Sequence, residues 1–201
     1  LPGIVRTQRP DLIVFTGDAL NSREGETRFL TCLEELAKIA PLYAVEGNWD
    51  VIQFRASRIL QRSAARLVAG RHEPLDVRGT RLTLAGLSYG EESTLPGLLA
   101  QLPDGPPVLF LNHTPDPILE LADAGVDLVL AGHTHGGQVR LPYYGALLTL
   151  ARHGKRFEAG LYRERATWLY VNRGLGMEGG AAPRVRFLTR PEVTVLELVP
   201  E

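Results

Sequence analysis

Apolar positions along the chain follow two rhythms. Residues 11–16 (DLIVFT) are a short apolar run closed by Gly17, too brief for a helix, and predict a buried strand. Residues 25–40 then place Phe29, Leu33, Leu36, Ala37 and Ala40 at helical spacing, opposed by Glu34, Glu35 and Lys38. That is the pattern of a helix with one face in the core. Pro41 stops it, and residues 42–45 predict the next strand. A second helix is expected over 51–67, with Ile52, Ala56, Ile59 and Leu60 on one side.

From residue 67 onward short strands dominate. Residues 74–77 and 80–87 flank Arg78-Gly79, which reads as a hairpin turn. The run 108–112 (VLFLN) predicts another buried strand, followed by a helix over 117–124 and a strand over 127–131. Strand-like segments are then expected at 139–141, 147–150, 157–163, 167–171 and 193–198, separated by Gly or Pro. No internal repeat or low-complexity linker interrupts them. The pattern predicts one α/β domain over 1–201: two mixed β-sheets packed as a sandwich with flanking helices.

Four of the apolar strands run directly into polar loops that carry chemistry. LIVFTGDALN places Asp18 at a strand end, YAVEGNWD places Asn48 and Asp50, VLFLNHTPD places His113, and LVLAGHTHGGQ places His133 and His135. In open α/β sheets ligands bind beyond the carboxyl ends of strands, so these loops are expected to converge. Carboxylate, amide oxygen and imidazole without thiolate suit Mn, Fe or Zn. In an extended segment His133-x-His135 would aim its rings at opposite faces, one toward each of two ions. Two ions about 3.5–4 Å apart form the clamp used for in-line displacement at phosphorus.

Bulk properties narrow the alternatives. The 201 residues make one ordinary domain, and 22 basic against 23 acidic side chains leave a net charge of −1. No basic track suggests nucleic acid as a partner, and no obligate protein partner is implied. No apolar run reaches the ~18–20 residues of a membrane span. The single cysteine, Cys32, excludes an internal disulfide and reads as a core thiol on the first helix.

The ordered set GD, GN-x-D, H, GH-x-H resembles that of calcineurin-like metallophosphoesterases. AGHTHGGQVRLP and the tail VNRGLGMEGGAAPRVRFLTRPEVTVLEL resemble a bacterial phosphohydrolase subgroup related to UDP-diacylglucosamine pyrophosphatases. The resemblance implies two divalent metal ions bridged by Asp18. Asn48, His113 and His133 would complete one site, and His135 would belong to the other. Asp18, Asn48 and His113 would also be the catalytic core, with a phosphorylated small molecule or lipid-linked phosphate as substrate.

Two departures accompany the resemblance. The family supplies the rest of the second site from an Asp-x-His on its first strand, and no such motif precedes Asp18. An N-terminally truncated chain, lacking that strand, is therefore expected. Trp49 stands where the family commonly has a histidine that assists the leaving group; its indole N–H can hydrogen-bond but not act as an acid. Arg173, on a Gly-rich loop, either belongs to a tight structural turn or contacts substrate phosphate, and Tyr143 and Tyr144 either pack in the core or at the surface or line a lipid pocket. Asp50 is expected to orient its loop or a nearby ligand histidine, and Asn112 and Asp116 to stand behind His113. His72 and His153 fall outside the pattern and are expected not to bind metal.

The expectation is a phosphoester or phosphoanhydride hydrolase using metal-activated water, cytoplasmic, with peripheral attachment to a membrane surface left open. The competing expectation is a degenerate phosphoesterase fold that serves as a binding scaffold.

Overall fold

The computed structural model describes residues 1–55, 58–179 and 184–199. A short helix α1 (Pro2–Gln8) opens the chain. Strand β1 (Ile13–Phe15), helix α2 (Glu26–Ala37) and strand β2 (Leu42–Ala44) form a parallel crossover unit. Strand β3 (Arg66–Leu67) pairs in parallel with β2, giving a three-stranded sheet in the order β1-β2-β3.

A hairpin of β4 (Arg71–Val77) and β5 (Thr80–Leu87) starts the second sheet, turning at Arg78-Gly79. After a short helix α3 (Leu95–Leu99), strand β6 (Val108–Asn112) lies parallel to β5. Helix α4 (Ile118–Asp123) leads to β7 (Leu128–Ala131), parallel to β6. A small ribbon, β8 (Arg140–Leu141) and β9 (Gly145–Ala146), precedes the last strands, β10 (Gly160–Glu164) and β11 (Thr167–Val171). The six-stranded order is β10-β11-β7-β6-β5-β4, parallel in the middle and antiparallel at both edges.

Strand alternation assigns each side chain to a layer. Leu109 and Leu111 of β6 join Leu82, Leu84, Tyr43 and Val45 in a core between the two sheets. Val108 and Phe110, the alternate residues of β6, join Ile118, Leu121 and Leu169 under α3 and α4. Leu42 and Ala44 face the other way, against Leu33 and Leu36 of α2. The result is a four-layer stack of helix, sheet, sheet and helix. The sandwich matches the expectation, except that the three-stranded sheet is wholly parallel rather than mixed. Among the described residues no helix is long and apolar enough to cross a membrane.

Several expected elements take another form. The helix expected over 51–67 is a single π turn, Trp49–Gln53, closed by the Phe54 N–H donating to the Trp49 carbonyl at 2.8 Å. Arg58 is left-handed at φ 46°, which ends any right-handed helix there. Ile59 and Leu60 are nevertheless buried against α2, so their burial is predicted where the element is not; Ala56 lies outside the described residues. At 147–150 only the Leu147 N–H bond to the Val139 carbonyl extends the ribbon, before Leu150 turns left-handed at φ 57°. The strand expected at 157–163 starts at Gly160, because Gly154–Phe157 coils into a 3-10 turn.

Residues 193–198 form no strand. Both sides of β11 are already paired, so Thr194 is left with side-chain bonds to Asn172 and the Tyr170 hydroxyl. Helices α1 and α3 were not expected; five to seven residues are too few to display a helical period. Cys32 is half-buried against the α2 core, and burial holds its thiol above the ordinary range.

Candidate metal centre

Strands β1, β2, β6 and β7 lie in parallel within their sheets, so their carboxyl ends open toward one edge of the molecule. The loops after β1 and β2 meet backbone to backbone. A Cβ on Gly17 would lie 2.4 Å from the Gly47 nitrogen, and one on Gly47 would lie 2.3 Å from Asp18 Oδ1. Only glycine fits either place, and Gly17 also adopts φ 96°.

Asp50 fastens the two loops together. Its buried carboxylate accepts backbone N–H bonds from Gly47 (2.8 Å), Asp18 (2.7 Å) and Ala19 (2.9 Å). Burial raises its pKa, opposed by those three donors. Removing the acceptor strands one buried donor and two partly buried ones, each at up to about 1–3 kcal/mol. Asp50→Ala is therefore expected to lower unfolding stability by about 3 kcal/mol or more, read from denaturant midpoints. An unchanged midpoint would show that the loops are held by something else.

Both central histidines are oriented by backbone carbonyls. His113 Nδ1 lies 2.7 Å from the Thr16 carbonyl, and His133 Nε2 lies 3.3 Å from the Leu150 carbonyl. A carbonyl only accepts, so those nitrogens carry the protons and the opposite nitrogens present lone pairs. The lone pairs converge. His113 Nε2 is 2.9 Å from Asn48 Oδ1, 3.1 Å from His133 Nδ1 and 3.3 Å from Asp18 Oδ2. Asn48 Oδ1 is also 2.9 Å from His133 Nδ1.

Four acceptor atoms so close together repel one another unless something positive lies among them. A proton on His113 Nε2 relieves part of this by donating to Asp18. Burial opposes charge on both groups, yet their mutual bond carries His113 above its ordinary pKa and Asp18 below its own. Burial and the neighbouring His113 push His133 down, which keeps its ring neutral and its lone pair available. Asp18, His113 and His133 present ligand atoms within 4.8 Å of one another. The set of carboxylate, amide oxygen and two imidazole nitrogens fits a divalent cation, which would replace the proton on His113 Nε2.

His135 lies at the same edge but outside that cluster. It lines a small pocket of about 120 Å³ with Asp18, Leu20, Trp49, Met177 and Glu178. His133 and His135 do not diverge by strand alternation as expected. Both are left-handed, at φ 68° and 50°, and the chain coils into a turn at His135–Gly137. Arg186 Nη2 sits 3.2 Å from His135 Nδ1, and burial together with Arg186 lowers the His135 pKa to about 4. Arg173 is not brought to this pocket; its guanidinium and backbone N–H are both engaged by Glu192.

The neighbours of the site divide similarly. Asn112 donates to the Thr114 carbonyl and Asp116 accepts from the Arg152 backbone, so both brace loops. His153 faces the Asp116 carbonyl and His72 lies on β4, both away from the cluster. Glu178 was not anticipated. Buried Gln138 binds its backbone at two points, and the Trp49 indole N–H reaches Glu178 Oε1 at 3.4 Å. The carbonyls of Thr16 and Leu150 could not be anticipated either, because a backbone acceptor leaves no mark in a sequence.

A four-layer sandwich with carboxylate, amide and imidazole side chains gathered at its strand ends is an arrangement that can hold a divalent metal. The calcineurin-like phosphoesterase family model matches residues 1–137, and the chain belongs to that family. It is 33% identical to the uncharacterized metallophosphoesterase YkuE of Bacillus subtilis (strain 168), over 96% of this chain and 70% of that protein. It is 32% identical to the phosphodiesterase YaeI of Escherichia coli (strain K12), over 96% of this chain and 72% of that protein. A shorter match, 35% identical over 47% of this chain and 30% of the other, joins it to the UDP-2,3-diacylglucosamine pyrophosphatase LpxG of Chlamydia trachomatis. The protein is accordingly a hydrolase of the metallophosphoesterase class that uses divalent metal.

Proposed function

We propose that residues 1–201 are one catalytic domain that hydrolyses a phosphodiester or phosphoanhydride, with its principal cation held by Asp18, Asn48, His113 and His133. The supporting observation is the convergence of four acceptor atoms whose rings are locked by Thr16 and Leu150. A divalent cation there would supply Lewis-acid charge to a phosphoryl oxygen and make water a better nucleophile. Asp18 Oδ1 is engaged by the Trp49 N–H, which leaves Oδ2 toward the cluster. Names of relatives, a phosphodiesterase and a pyrophosphatase, support a phosphorylated small molecule or a lipid-linked phosphate as substrate. The test is hydrolysis of an aryl phosphodiester, lost to a chelator and restored by Mn, Fe or Zn; no hydrolysis with any of them sinks the proposal.

A second ion would share Asp18 and use His135. The Arg186 contact at His135 Nδ1 favours the tautomer with its proton on Nε2, so that ring must give up a hydrogen bond or a proton before binding metal. This chain is therefore expected to hold one ion at least about tenfold more tightly than a second. Metal titration by calorimetry checks this, and two equally tight ions would overturn it. A version extended upstream with an Asp-x-His is expected to raise the weaker affinity. The scaffold reading draws on Trp49 and on the lack of an Asp-x-His before Asp18, and activity in the diester assay would decide against it.

A further inference from the structure

We propose that the face built by the β8–β9 ribbon and residues 187–188 is a docking surface for an anionic lipid bilayer. This deepens the proposed function, because it would present lipid-linked phosphates to the neighbouring metal centre. Leu141, Tyr143, Tyr144 and Leu188 line one open pocket of about 350 Å³ together with the Arg140–Glu158 ion pair. Leu147, Leu148 and Phe187 continue the apolar surface, with Tyr143 fully exposed and Leu148 62% exposed. The Arg140 N–H donates to the Phe187 carbonyl, so the two segments form one surface. Scattered exposed leucines are ordinary, but a contiguous apolar patch of this kind marks an interaction site.

Charge selects the occupant. No Asp or Glu occurs from residue 128 to 157, while Arg140, Arg152, Lys155 and Arg156 do. Residues 179–191 likewise hold Arg184, Arg186 and Arg190 with no acid. Arg140 is neutralised by Glu158, Arg156 by Glu164, and Arg152 faces Glu120 at 3.6 Å. Lys155 and Arg190 have no carboxylate partner within ion-pair distance among the described residues. The Lys155 ammonium lies 3.3 Å from the Tyr144 ring centroid, which holds a cation at the level of an exposed tyrosine. Exposed apolar side chains beside tyrosine and an unpaired lysine suit the acyl and headgroup zones of an anionic leaflet. The segment that follows the ribbon reaches the metal site, since the Leu150 carbonyl orients His133.

Flotation with phosphatidylcholine vesicles, with and without phosphatidylglycerol, tests this on the 201-residue chain. Binding is expected only with phosphatidylglycerol, weakening as salt rises. Tyr143→Ser combined with Leu148→Ser, and separately Lys155→Glu, are each expected to weaken it by about tenfold. All three side chains are exposed, so hydrolysis of a soluble aryl diester should be unchanged in both variants, which separates lost docking from lost folding. Absence of flotation, equal flotation of the variants, or a patch-dependent dimer by sedimentation without vesicle binding would each overturn the proposal. Flotation without any diester hydrolysis would instead remove the enzymatic reading and leave the surface standing.

Discussion

Replacing Asp18 by asparagine is expected to lower kcat/KM on an aryl phosphodiester by at least about 10³-fold. The substitution nearly preserves shape. An asparagine oxygen can still accept the Trp49 N–H, now 2.9 Å from Asp18 Oδ1, so the loop after β2 keeps its tie to the loop after β1. What disappears is the negative charge facing His113, His133 and Asn48. Cation binding supplies several kcal/mol of charge stabilisation at a phosphoryl group, and about 1.4 kcal/mol is worth tenfold in rate. Metal affinity should fall with activity, while the melting temperature stays within a few degrees. Near-normal metal affinity in this variant would mean that Asp18 is not a ligand, whatever happens to the rate.

Position 49 is expected to govern a different quantity. Trp49 lines the pocket beside Asp18 and stacks on Phe54, with ring centroids 6.1 Å apart. Its indole N–H points to Glu178, but tryptophan has no proton to give a departing alkoxide. General acid assistance is typically worth ~10²–10⁴-fold. Aryl oxides and nucleotide phosphates leave as stabilised anions and need it least. The protein is therefore expected to prefer anhydrides and activated diesters over simple alkyl phosphates. Trp49→His should raise turnover of alkyl esters by about 10²-fold, the low end of that range, and change aryl diesters little. Loss of the ring stack removes about 0.5–1.5 kcal/mol of stability, so rates belong well below the melting transition. Equal acceleration of both substrate types would show that position 49 does not set leaving-group choice and that another group supplies the proton, with Glu178, 3.4 Å from the indole nitrogen, one candidate.

The sequence alone determined the strands that frame the site and the residue types at their ends. Apolar runs such as 108–112 predict buried strands because a strand covered on both faces needs apolar residues at every position. The order of Asp18, Asn48, His113 and His133 along the chain could be read for the same reason, since each follows such a run directly. Burial of Ile59 and Leu60 was legible too, although the helix around them was not. Hydrophobic spacing reports which side chains go inside, and a left-handed residue such as Arg58 leaves no trace in that spacing.

Only the tertiary structure decided what locks those side chains and what surrounds them. The carbonyls that set the histidine tautomers, Thr16 and Leu150, lie 97 and 17 residues from the rings they orient. Asp50 acts on N–H groups up to 32 positions away, and Arg186 reaches His135 across 51. Arg173 looks available on its loop until Glu192 folds back onto it. These are backbone or ion-pair contacts between distant segments, and no local pattern encodes them. A residue type at a strand end fixes which chemistry is available there, but packing of the two sheets fixes which atoms face one another.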